Sequence, residues 1–111
     1  MDHTRKVDIP LVHHVDVTKA TQYLLHQLGC EDWYVACHHE HQFIMHLSKG
    51  GIDKFAVCFD CSPPVEKGIY HGSMAWYIGI VPLHGQEDIP EDAVTRIRAG
   101  LAGLTAGSHG S

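Results

Sequence analysis

The chain has no long apolar run. Nothing in its 111 residues approaches the roughly 20 apolar residues that span a bilayer, so no membrane partner is expected. Positive charge is also scarce. Lys and Arg number 8 against 13 Asp and Glu, and they form no patch or stripe. Phosphate neutralisation needs clustered cations, so direct nucleic-acid binding is disfavoured. The acids are too scattered to imitate a nucleic acid. The opening MDHTRKVDIP has no apolar signal core. The expected setting is therefore cytoplasmic, with the four cysteines reduced.

Several motifs are missing. Gly50-Gly51 is not followed by a helix that could receive an anion, so it is a turn and not a phosphate loop. Neither G-x-S-x-G nor H-E-x-x-H occurs, and His39-Glu40-His41 cannot place two imidazoles on one helix face. Glu87, Asp88, Glu91 and Asp92 cluster at a helix start, where the dipole favours acids. Nothing marks them as a catalytic carboxylate pair.

What is plentiful is histidine, at 11 residues. Protonating all of them would carry the formal charge from −5 to +6. The surface therefore changes sign below about pH 6, given an ordinary histidine pKa of about 6.5. With 44% hydrophobic and 19% charged residues, the composition is globular and the length is that of one domain. Residues 1–104 are expected to form it, with 105–111 as a flexible tail.

Periodicity supplies the fold. Val7, Ile9 and Leu11 alternate, and Pro10 between them restricts that short strand to a sheet edge. Asp16 caps a helix ending at Gly29, with Val17, Ala20, Leu24, Leu25 and Leu28 on one face. Three alternating runs follow between Trp33 and Cys61, then a fourth from Ser73 to Val81. The odd-numbered apolar residues define the buried face. Their register pairs Trp33, Val35 and Cys37 with Leu47, Met45 and Phe43. It then pairs Leu47, Met45 and Phe43 with Phe55, Val57 and Phe59. In the fourth strand Met74, Trp76, Ile78 and Ile80 are expected inside. Asp88-Ile89-Pro90-Glu91 opens a second helix that runs to about Leu104. The expected architecture is α+β, a two-layer sandwich of order (β)-α-β-β-β-β-α. An antiparallel four-stranded meander, with an optional short N-terminal edge strand, carries both helices on one face.

Three chemistries compete on this frame. Cys37, His39, His41 and Cys61 fall at one end of the buried face in that register. Two thiolates with two imidazoles would suit a structural zinc ion. On the opposite face, His46 and Cys58 are diagonal neighbours, which is the geometry of a thiol enzyme's Cys–His pair. The preferred reading is a protein-binding module of inhibitor, adaptor or regulator type, with no catalytic residues and no cofactor. Its surface comprises Tyr34, His38, Ile44, His46, Cys58 and Tyr77 on the open face, bordered by Tyr70 and His71 of the 62–72 loop. The residue mix fits such a patch, rich in tyrosine and poor in lysine. Its partner is another protein, and a homo-oligomer satisfies the same reading.

Overall fold

The computed structural model describes residues 6–70, 72–83 and 85–107. Seven elements follow in order: β1 (Val7–Asp16), α1 (Val17–Leu28), β2 (Asp32–His39), β3 (Gln42–Lys49), β4 (Ile52–Cys61), β5 (Met74–Pro82) and α2 (Glu91–Gly107). The strands form one antiparallel sheet in the order β1-β5-β4-β3-β2. The sheet thus has five strands where the meander alone has four. The N-terminal strand is a full member, longer than its alternating start suggests, and it lies at an edge as Pro10 requires.

α1 begins and ends where its sequence dictates. The Asp16 carboxylate accepts hydrogen bonds from the Thr18 and Lys19 backbone N–H groups at 2.8 and 3.2 Å. These satisfy donors that have no partner within the helix. Gly29 closes it at φ 68°, a conformation that costs glycine little. α2 starts at Glu91, where the Val94 N–H reaches the Pro90 carbonyl. It runs to Gly107, past the expected end near Leu104 and into the segment expected to be a tail.

Both helices cover the face that carries Phe43, Met45, Leu47, Val57, Phe59, Cys61, Ile78 and Ile80, all fully or almost fully buried. Leu24 from α1 and Ile97 and Leu101 from α2 complete this core. Phe43 and Phe59 stack at 5.2 Å between centroids in its middle. α2 rests against β1 and α1, with Arg98 donating to the Asp8 carbonyl at 2.9 Å. Among the described residues no helix is long and apolar enough to cross a membrane.

Gly100 marks where the helices touch. A Cβ there would collide with the Tyr23 ring, whose hydroxyl donates to the Arg96 carbonyl. At Gly103 a Cβ would meet nothing within 4 Å. The two glycines should therefore respond oppositely to alanine in thermal or urea unfolding. Gly103→Ala is expected to stabilise by about 0.5–1 kcal/mol through helix propensity. Gly100→Ala is expected to destabilise by about 1–2 kcal/mol, because Tyr23 must swing out.

Two bulges redirect side chains. In the β2–β3 hairpin, Trp33 and Val35 pair with Leu47 and Met45 as expected, but Cys37 then pairs with Ile44 and not with Phe43. The extra residue is Ala36. Beyond it the faces exchange: His38 pairs with Phe43 and turns to the helix side, while Cys37 and His39 turn to the open side. In β5 the register shifts between Asp60↔Tyr77 and Cys61↔Ala75. That puts Ala75 in the core and leaves Met74 and Trp76 exposed, although alternation places those two inside.

Candidate functional site

The face of the sheet away from the helices reads in three rows across the strands. The central row is Cys37, Ile44, Cys58 and Gly79. Beside it lie Tyr34, His46, Ala56 and Val81. The third row is His39, Gln42, Asp60 and Tyr77. Small and apolar groups fill the middle, and hydrogen-bonded groups flank it.

On one flank, Tyr34 Oη donates to Asp53 Oδ2 at 2.6 Å and lies 3.0 Å from His46 Nδ1. His46 Nδ1 is 3.3 Å from the same carboxylate oxygen. Tyr34 has one proton, and here it points at Asp53. The cluster closes when His46 carries its proton on Nδ1 and shares it between the two oxygens. The Tyr34 hydroxyl, then His46, holds the Asp53 carboxyl below its ordinary range, against an opposing effect of burial. The bond to Asp53 in turn pushes the Tyr34 phenol up.

A group with a lowered folded-state pKa contributes stability above its unfolded value, and that contribution is lost as pH falls through the folded value. Asp53→Asn should therefore flatten the dependence of melting temperature on pH below about 4, the ordinary carboxylate range.

On the other flank, Gln42 Nε2 donates to Asp60 Oδ1 at 2.8 Å. The Cys58 thiol points at the same oxygen from 3.6 Å. Tyr77 donates to Asp8, and the Lys6 ammonium sits 5.6 Å from the Tyr77 ring centroid. The Tyr77 hydroxyl and the Lys6 stem fold over Gly79, 2.8 and 2.9 Å from where a Cβ would stand. At the sheet end, Trp76, His39, Gln42, Asp60 and the Glu40–His41 turn line an open groove. Trp76 is 44% exposed and belongs to this surface. Only the β5 bulge puts it there, and alternation hides it.

The residues expected to bind zinc separate. Cys61 is fully buried in the core. Cys37 is on the open face because of the Ala36 bulge, 3.8 Å from His39. The His41 ring meets the Cys61 carbonyl at 3.3 Å, not its sulfur. Among the described residues no group of three or more His, Cys, Asp or Glu side chains could hold a metal ion.

The Cys–His pair does not assemble either. His46 is engaged by Tyr34 and Asp53, and Cys58 by Asp60. Burial, reinforced by the Asp60 charge, pushes the Cys58 thiol up to about 11 and the Cys61 thiol to about 12. At neutral pH both stay protonated and are poor nucleophiles. Cys37 is exposed and Cys61 is enclosed. Alkylation of the folded protein, followed by mass spectrometry, should modify Cys37 first, Cys58 slowly and Cys61 only in denaturant.

The remaining expected residues divide by face. Tyr34, Ile44, His46, Cys58 and Tyr77 share the open face. His38 does not. It bonds the Tyr70 hydroxyl at 3.1 Å, and Tyr70 packs on Phe43. Val65 is buried and donates its N–H to the Glu40 carbonyl. Val65 and Tyr70 of the 62–72 loop therefore close the end of the core on the helix side, while Ser62 at its start lines the groove beside Trp76 and Asp60. His71 lies outside the described residues.

The chain matches no protein-family model, no curated protein and no solved structure. The geometry of the open face therefore carries the functional argument.

Proposed function

We propose that this chain is a protein-binding module, an inhibitor, adaptor or regulator, that acts through the open face of its sheet without catalysis of its own. The observation that carries this reading is that face's composition. Two helices cover one side of the sheet, and among the described residues no element covers the other. The uncovered side has an apolar centre of Ile44, Ala56, Cys58 and Val81. Around it stand Tyr34 and Tyr77, hydrogen-bonded to Asp53 and Asp8, and the exposed Trp76.

That is the anatomy of a recognition patch: an apolar centre, aromatic anchors and a satisfied polar rim. The bonds within the rim also limit its conformational freedom, which lowers the entropy cost of docking. The open-face thiol is not poised for nucleophilic chemistry. Burial first, then the Asp60 charge, pushes the Cys58 thiol up to about 11, so it stays protonated near neutrality and is a poor nucleophile.

The test is affinity capture from the native host with wild type, Tyr34→Ala and Tyr77→Ala. Each variant is first shown to melt cooperatively. A stoichiometric partner held by wild type and weakened in both variants supports the reading. Equal capture by all three removes the open face from consideration.

A further inference from the structure

The two edges of the sheet are treated differently. At β1, Pro10 withholds a donor, Arg98 occupies the Asp8 carbonyl and α2 lies alongside. The register is broken between Pro10 and Val15. Natural sheets use such devices to stop strangers from pairing with an edge. β2 carries Asp32-Trp33-Tyr34-Val35-Ala36-Cys37-His38-His39, with no proline, lysine or arginine. It is exposed along nearly its whole length, and Trp33 and Tyr34 are 42% and 46% exposed on opposite faces. Among the described residues no strand pairs with its outer side.

We infer that β2 pairs antiparallel with β2 of a second copy, joining two sheets into one continuous ten-stranded sheet around a two-fold axis between Val35 and Ala36. This goes beyond the partner-binding reading, because it uses the strand's edge and not the sheet's face.

The occupant follows from self-complementarity. β2 begins with a carboxylate and ends with two imidazoles. Antiparallel self-pairing over its full length sets Asp32 opposite His39 of the second copy, an acceptor facing a donor, and does so twice. It also sets Trp33 opposite His38 and Tyr34 opposite Cys37.

The bulge decides whether the faces agree. In a regular strand, Asp32 and His39 point to opposite sides, as do Tyr34 and Cys37 and also Trp33 and His38. Direct partners in an antiparallel pair must share a side. With Ala36 extra, Asp32, Tyr34, Cys37 and His39 all lie on the open face, and Trp33 and His38 lie on the helix face. The one irregularity in β2 is thus what lets the strand match itself from end to end. Isologous pairing about a two-fold axis is also the commonest way for a chain to associate.

Eight residues per chain make a contact below the standard interface size, so the expected dissociation constant is on the order of 10 µM.

Sedimentation velocity over a concentration series spanning that value, on the full chain, provides the test. The expected result is a reversible monomer–dimer equilibrium. Ala36→Lys puts two like charges beside the axis, and should weaken the dimer at least tenfold without lowering the melting temperature. Tyr34→Cys stands opposite Cys37 of the second copy, and should give a disulfide-linked dimer on mild oxidation that Cys37→Ser removes. A monomer at every concentration overturns the inference. So does a dimer that survives Ala36→Lys, or one that Ile44→Lys alone dissolves, which would assign self-association to the sheet face. A cross-link that persists without Cys37 overturns the proposed register.

Discussion

Phe59→Ala is expected to lower the melting temperature by about 15–25 °C, which corresponds to about 3–5 kcal/mol for emptying a large buried aromatic site. Phe59 is fully buried in a central strand, paired with Phe43 on one side and Ile78 on the other, and stacked on the Phe43 ring. All of these neighbours sit on the sheet, which is hydrogen-bonded on both sides of β4. The backbone therefore cannot collapse into the space left behind. Total stabilities of small domains are about 5–15 kcal/mol, so the variant keeps only part of its margin. Circular dichroism against temperature measures the shift. A fall of less than about 5 °C would show that the core is not centred where this register puts it.

The second large effect is on binding. Ile44→Lys is expected to weaken capture of the partner by roughly 30-fold or more, the loss of about 2 kcal/mol that defines a central anchor residue. Ile44 is the largest apolar side chain in the middle row, between Cys37 and Cys58. A lysine there puts a charge in the apolar centre of the patch, where a docked partner strips away its water. In the free protein the same lysine reaches solvent from a half-exposed position. The change in folding stability should therefore stay within about 1 kcal/mol. A titration of captured partner against wild type and variant separates the two effects.

How the open face came to hold these residues bears on what a sequence can disclose. The alternating runs identify the buried residues of β3 and β4 without error, because Phe43, Met45, Leu47, Phe55, Val57 and Phe59 must share a side. The hairpin turns hold the information that alternation lacks. Gly50 and Gly51 both have positive φ, as a two-residue turn of the primed type requires. Such a turn pairs Lys49 with Ile52. The buried apolar set instead demands Leu47 opposite Phe55. These two pairings differ by one residue, so the strands must absorb one extra. The shift between Leu47 and Ser48 does this, and it delivers Asp53 to Tyr34 and His46.

The β2–β3 hairpin repeats the conflict. His39 pairs with Gln42 across a two-residue turn, while Val35 must face Met45. The difference of one is taken up at Ala36. Faces are legible from alternation alone only up to the first bulge. Beyond it, His38, Cys37 and Trp76 appear on the wrong sides and a zinc tetrad appears to converge. The 62–72 loop carries even less of its placement in its sequence. Nothing in its composition says that Val65 and Tyr70 would be drawn to the helix side to close the core beside Phe43.

The proposed function requires that a protein partner dock on the open sheet face. Covalent side-chain labelling of the captured complex tests it most directly, read residue by residue by mass spectrometry. The predicted result is that Tyr34, Tyr77 and Trp76 lose reactivity on complex formation while Tyr23, at the contact between the two helices, keeps its own. Protection of Tyr23 with Tyr34, Tyr77 and Trp76 still freely labelled would place the partner on the helices and contradict the account.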